Sequence, residues 1–188
     1  MTLASSNGLD NSTKAEVFKE ISMLLSSAPR VIIHRDRDFL TDIEVDQWGQ
    51  PHTSRGIEVF SPPLCDTESY FATSAHVSKV TGVTAEEATS LIDSTIEERV
   101  DELRDKFRRK RQVASRTLNA DGGGPITDDL WPEGSGPKPE QVYGKDLVKW
   151  LNAKLQQRGL LAPKKSLLDV LSDELGRHLE TLLSRPEG

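Results

Sequence analysis

The chain has 188 residues, 35% of them hydrophobic and 29% charged, so it is long enough for one real core and polar enough to be soluble. No apolar run approaches the roughly 20 residues of a membrane span, and residues 1–12 lack the basic start and apolar stretch of a secretory signal, which makes no membrane and a cytoplasmic location the expectation. A single cysteine, Cys65, excludes an internal disulfide framework and a Cys-based zinc site, and the net charge of -6 argues against indiscriminate nucleic-acid binding while leaving room for a local basic patch.

Val17, Phe18, Ile21, Leu24 and Leu25 recur at helical spacing and predict an amphipathic helix over residues 13–27. Val31, Ile32 and Ile33 then form an unbroken β-branched run behind Pro29, the pattern of a strand buried on both faces. Such strands belong mostly to parallel α/β sheets, which gather ligands at the carboxyl ends of their strands. Asp36 and Asp38 stand at that end. Side chains two apart on an extended chain project the same way, so the two carboxylates are predicted to converge on one hard cation; the alternative is a solvated loop that happens to hold two acids. Asp42 and Glu44 suit a first helical turn, and the helix they open is predicted to stop near Trp48-Gly49-Gln50-Pro51. A second short strand, Ile57-Glu58-Val59-Phe60, follows and is closed by Pro62 and Pro63. Helix, strand, helix, strand is the repeating unit of a parallel α/β sheet.

The pattern then becomes helical. Thr84-Ala85-Glu86-Glu87 reads as a capping box, and Ala88, Leu91, Ile92, Ile96, Val100, Leu103 and Phe107 continue one face of a single long helix running to about Val113. Residues 119–140 are rich in glycine and proline and are predicted to be an exposed, flexible loop, with Trp131 as the residue that would dock it onto the body. Two helices close the chain, one over about 144–157 and one over about 166–184. The leucine face of the last, Leu167, Leu168, Leu171, Leu175, Leu179 and Leu182, suits a core or a dimer seam.

Just beyond the second strand, Asp66-Thr67-Glu68 brings a further acid, and neighbouring parallel strands lie about 4.8 Å apart. Glu68 is therefore predicted to join Asp36 and Asp38. Three convergent carboxylates repel unless a divalent cation neutralises them, and an oxygen-only set suits magnesium. Arg104, Lys106, Arg108, Arg109, Lys110, Arg111 and Arg116 form a basic run late in the long helix; it complements the helix dipole and, alternatively, offers phosphate contacts through Arg108, Arg109, Lys110 and Arg111. Cys65 is expected to be a buried or half-buried thiol, His34 a packing residue, and His52, His76 and His178 structural.

The segments Val31-Ile32-Ile33-His34-Arg35-Asp36-Arg37-Asp38-Phe39, Ile57-Glu58-Val59-Phe60 and Asp66-Thr67-Glu68-Ser69-Tyr70-Phe71 together resemble the later half of a TOPRIM domain, in the version attached to overcoming-lysogenization-defect (OLD) nucleases and related ABC-type ATPases. Tyr143-Gly144-Lys145-Asp146-Leu147 is similar to that family's late Gly-Lys segment. The resemblance implies Asp36 and Asp38 as ligands of Mg2+ (or Mn2+), Glu68 as a ligand or organiser, and Lys145 as the contact that assists phosphodiester cleavage. It implies DNA as substrate, an ATPase subunit or self-association as partner, and a setting in phage defence. The family's domain opens with a glutamate-bearing strand ahead of the first helix, and residues 1–12 do not resemble one; no Walker loop is present either. The expectation is thus a carboxyl-terminal piece of a larger ATPase-nuclease, a split protein needing a partner, or a decayed gene product, with a non-catalytic TOPRIM-like binding or regulatory subunit as the alternative. The expected organisation is a disordered 1–12, a partial TOPRIM-like α/β unit over 13–75 with a small parallel sheet, a long helix over 76–118, the loop over 119–140, and C-terminal helices over 141–188.

Overall fold

The structure, a computed structural model, describes residues 13–22 and 30–184. Residues 1–12, with the disorder expected there, and Leu24 and Leu25 lie outside the described residues. The architecture is α/β with a helical extension: a two-stranded parallel sheet, then a succession of helices. No described helix is long and apolar enough to cross a membrane.

The chain divides into two units. The first contains helix α1 (Thr13–Ser22), strand β1 (Ile32–His34), helix α2 (Asp42–Thr53) and strand β2 (Glu58–Phe60). β1 and β2 pair in parallel with Ile32 opposite Glu58, Ile33 opposite Val59 and His34 opposite Phe60. A parallel pair needs a crossover, and α2 supplies it. Gly49 faces β2, where a Cβ would make ordinary van der Waals contact with Val59 Cγ2 at 3.6 Å. The two-faced burial expected of the first strand is not found: Ile32 and Ile33 are half-buried and His34 is exposed, its ring 5.5 Å from that of Phe60. With two strands among the described residues, only the flanking Val31 and Ile57 are buried. α2 also runs through Pro51 to Thr53. A proline in the last turn removes one hydrogen bond, and the Thr53 hydroxyl, donating to the carbonyls of Gly49 (3.3 Å) and Gln50 (3.2 Å), closes the helix end.

His52, on α2, is buried, lies 4.9 Å from the Trp48 ring and has Nδ1 3.7 Å from Glu16 Oε1. Burial holds its pKa below the ordinary 6.5, against the pull of Glu16 and with help from Arg55. Its contribution to stability is therefore full above pH 6.5 and is lost as pH falls from there through the folded value, because the unfolded chain binds the proton more readily. Urea midpoints measured from about pH 7.5 down to about pH 5 are expected to fall less steeply in His52→Gln than in wild type; equal slopes would assign the acid sensitivity elsewhere.

The second unit holds residues 36–41 and 62–184 among those described. It runs through a 3-10 turn (Thr67–Phe71), α3 (Ser74–Thr81), α4 (Ala85–Glu97), α5 (Val100–Leu118), α6 (Thr127–Leu130), α7 (Gly144–Gln157) and α8 (Asp173–Leu183). The predicted capping box is present: Thr84 Oγ1 accepts from Glu87 N, and Glu87 Oε2 accepts from Thr84 N. The single long helix is not. The chain breaks at Glu98 and Arg99 into α4 and α5, Arg99 being the residue just ahead of α5. Its guanidinium lies 5.7 Å from the Trp150 ring and pairs with Glu102 instead of entering the core. The last helix begins at Asp173 rather than near 166, since Ser166 caps a separate 3-10 turn (Leu167–Asp169) and Ser172 then caps α8. Of its leucine face, Leu167, Leu175 and Leu182 are buried while Leu168, Leu171 and Leu179 are exposed.

One core cluster serves the second unit, including Phe39, Cys65, Val77, Leu91, Leu103, Phe107, Trp131, Leu147, Leu151 and Leu155. Cys65 is fully buried, as expected, and burial and the nearby Asp66 push its thiol pKa far up, which leaves it inert as a nucleophile. The glycine- and proline-rich segment is more structured than predicted: it forms α6, buries Trp131, and receives a hydrogen bond from Gln141 Nε2 to Leu130 O (2.7 Å).

Candidate acidic site and its lysines

The predicted acids fall in the second unit, on two segments that meet. Asp36 Oδ1 accepts hydrogen bonds from the backbone N–H and the hydroxyl of Thr67, both at 3.0 Å. That ties the aspartate to the 3-10 turn bearing Glu68. Asp38 goes elsewhere. Asp38 and Phe39 both have positive φ (49° and 68°), with Leu40 N donating to Arg37 O at 2.9 Å, so the chain turns instead of staying extended. Both central residues left-handed is the signature of a type I′ turn, which phenylalanine rarely enters. Tertiary contacts impose it. Asp38 N donates to Cys65 O (2.9 Å), Arg111 donates to Phe39 O (3.3 Å), and the Phe39 ring lies 5.3 Å from Phe107 and 5.9 Å from Tyr143. The extended-chain premise for pointing both aspartates one way therefore does not hold at Asp38. Its carboxylate instead receives Lys110 Nζ from α5, at 3.2 Å.

Asp66 is the residue that sequence reasoning passed over. It is fully buried and accepts four hydrogen bonds. Its Oδ1 receives Ser69 N (3.0 Å), Ser69 Oγ (2.7 Å) and Gly144 N (3.0 Å), and its Oδ2 receives Lys145 N (3.0 Å). One carboxylate thus caps the 3-10 turn and satisfies the first amides of α7, where the helix dipole favours negative charge. Burial nonetheless raises its pKa, with Glu68 and Asp36 adding to the rise and the hydrogen bonds of Ser69 and Lys145 opposing it. The sequence signal was there: Asp66-Thr67-Glu68-Ser69 is an N-cap pattern with serine at the third position.

Lys145 extends from that same α7 start, half exposed, and brings Nζ within 3.6 Å of Glu68 Oε1. Burial works to lower its pKa, but Glu68, Asp36 and Asp66 outweigh it and hold the ammonium above its ordinary value. The other Glu68 oxygen, Oε2, is buried and has no hydrogen-bond partner among the described residues. Tyr143, just ahead, has Lys106 Nζ 3.6 Å and Lys110 Nζ 5.6 Å from its ring centre. Burial and then Asp38, Asp66, Cys65 and Asp36 push its hydroxyl pKa far up. The structure therefore gathers Asp36, Asp66, Glu68 and Lys145, and sets Asp38 beside them with Lys110 as its counter-ion. No group of three or more His, Cys, Asp or Glu side chains able to hold a metal ion occurs among the described residues.

The basic run divides. Arg111 is fully buried on the α5 face that also carries Leu103, Phe107 and Ala114, and is not presented to a nucleic acid. Its place at that spacing, four after Phe107 and three before Ala114, fixes the burial. Lys110 serves Asp38, Lys106 pairs with Asp146 (2.6 Å), and Arg108 lies 3.3 Å from Asp128. Arg109 is exposed.

No family model matches this chain, and neither a curated protein nor a solved structure matches it.

Proposed function

We propose that this chain carries the acidic part of a Mg2+- or Mn2+-dependent site that cleaves phosphodiesters of DNA, in keeping with its resemblance to the OLD-type TOPRIM nucleases. The single observation that supports it most is the meeting of Asp36, Glu68 and Lys145 from three separate segments. A cation fits the residues in one specific respect: the buried Glu68 Oε2 has no donor among the described residues, and an ionised oxygen in that state is unfavourable unless something positive reaches it. Magnesium is commonly held by one or two carboxylates plus water and substrate phosphate, so Asp36 and Glu68 suffice as its protein ligands. Asp38 is then the partner of Lys110 rather than a ligand.

A divalent cation held by Asp36 and Glu68 would supply charge stabilisation at a phosphate and would make water a better nucleophile there. The chain's own residues position. Thr67 orients Asp36 through two hydrogen bonds, and Lys145 presents a half-exposed ammonium to a phosphate oxygen. The general base comes from outside the residues assigned here, consistent with a partner subunit. A second reading, a non-catalytic binding or regulatory subunit, is favoured by the internal balancing of the charges: Lys110, Lys145, Thr67 and the four donors to Asp66 already answer the carboxylates.

Magnesium titration followed by thermal melting tests the proposal. At a hundred times the dissociation constant, a bound cation stabilises by about 2.7 kcal/mol, a rise of several degrees. The rise is expected in wild type and in Asp38→Asn, and is expected to be lost in Asp36→Asn and Glu68→Gln. An equal rise in all four proteins would remove the site. Plasmid nicking in manganese, with wild type against Lys145→Ala, separates the catalytic reading from the binding one.

A further inference from the structure

We propose that Asp66 is a positioning residue for this site: it fastens the turn that carries Glu68 to the helix start that carries Lys145, and so sets the distance between the two. This rests on the cation site proposed above and adds to it a residue that touches neither cation nor substrate. Glu68 and Lys145 belong to elements far apart in sequence, and their own link is a long one at 3.6 Å. That contact alone does not fix their spacing. The rigid connection runs one layer deeper, through the Asp66 carboxylate, with two hydrogen bonds from Ser69 on one side and one each from Gly144 and Lys145 on the other. Because the Lys145 backbone N–H itself is a donor, the tether acts at the root of the lysine side chain. Because Ser69 follows Glu68 directly, it acts equally close to the glutamate.

The glycine of the Gly-Lys pair acquires its reason here. A Cβ on Gly144 would stand 2.1 Å from Asp66 Oδ1 and 2.2 Å from Ser69 N, so only glycine lets the helix start approach the carboxylate. Full burial of Asp66 excludes water as a competing donor and makes the spacing insensitive to solvent. Binding geometry is sensitive to displacements of well under an ångström in groups that act together, so loosening this tether is expected to weaken cation binding as well as the fold.

The test uses the full chain and Mn2+ as probe, with free metal read by electron paramagnetic resonance well below each protein's melting temperature. Asp66→Asn keeps the shape and one acceptor oxygen but presents an amide to the Lys145 N–H, and is expected to weaken Mn2+ binding at least about tenfold. Ser69→Ala removes only the hydroxyl bond and is expected to weaken it about two- to fivefold. Leu151→Ala, a cavity in the α7 core away from the tether, lowers stability but leaves the affinity unchanged. That contrast is what a merely structural role for Asp66 does not produce. Wild-type affinity in Asp66→Asn, with Glu68→Gln impaired, overturns the positioning role and leaves the cation site standing. Wild-type affinity in Glu68→Gln, or no binding by wild type, overturns both. Should Asp66→Asn not fold, Ser69→Ala decides, and unchanged affinity there overturns the proposal.

Discussion

Gly144→Ala is expected to lower the melting temperature by roughly 10 °C, one of the two largest effects that single substitutions are expected to produce here. The φ of Gly144 is not in the left-handed region, so space and not backbone freedom requires glycine. An added methyl meets Asp66 Oδ1, Ser69 N and Ser69 Oγ at 2.1, 2.2 and 2.5 Å, and two of these belong to rigidly held groups. Forcing a methyl into a packed site costs about 1–3 kcal/mol. Pushing the buried carboxylate off its donors adds the desolvation of an unsatisfied charged group, at least about 1–3 kcal/mol more. At about 3–5 °C per kcal/mol for a unit of this size, the sum of about 2–6 kcal/mol centres on a shift somewhat above 10 °C. The control is Gly136→Ala, with nothing within 4 Å of its added Cβ, expected to stay within about 0.5 kcal/mol of wild type. Thermal melting of the three proteins decides; a Gly144→Ala protein that melts with wild type would mean that α7 and the Glu68 turn are not joined through Asp66.

What the sequence made legible was local. The capping box at Thr84 spans three residues, and the two β-branched runs with a helix between them announce a parallel pair without long-range information. The meeting of Glu68 and Lys145 was not local, and only a family resemblance pointed to it. In Arg35-Asp36-Arg37-Asp38-Phe39 only the aspartates tolerate a left-handed turn, and no residue there predicts one at Phe39. The conformation follows from burying Phe39 beside Phe107 and Tyr143 and from holding its carbonyl with Arg111, partners that sequence proximity does not reveal. The basic run misled for the opposite reason. Its composition suggested a surface patch, while the spacing Leu103, Phe107, Arg111, Ala114 already put one arginine on the buried face. Composition described the helix, and register decided which of its charges reach solvent. Asp66 shows the same logic at the site, where composition does not tell Asp36, Asp38 and Asp66 apart and their hydrogen-bond donors give each a different task.

Trp131→Ala carries the second large effect, about 3–5 kcal/mol of lost stability. The segment around Trp131 has the composition of a loop without a core of its own, so what orders it must be borrowed from α5. The indole supplies that anchor. It is 2% exposed, its ring lies edge-on to Phe107 at 5.4 Å, and its Nε1 donates to Ser135 O at 3.0 Å. Arg104 stacks 4.9 Å from the ring and donates to the carbonyls of Pro132 (3.2 Å) and Ser135 (2.8 Å), so the cation holds the backbone that follows the tryptophan. Truncation to alanine removes the ring contacts and the indole donor and leaves a cavity against Phe107. Trp131→Phe keeps an aromatic ring but loses the bond to Ser135, and should fall between the two. The readouts separate global from local loss: urea midpoints give the first, and limited proteolysis between residues 119 and 137 gives the second, since cleavage follows local opening. Because Phe107 also packs on Phe39, loosening at Trp131 is expected to reach the Asp38 turn. Cleavage rates in the alanine variant equal to those of wild type would show that the segment is ordered by its own turns and not by the core.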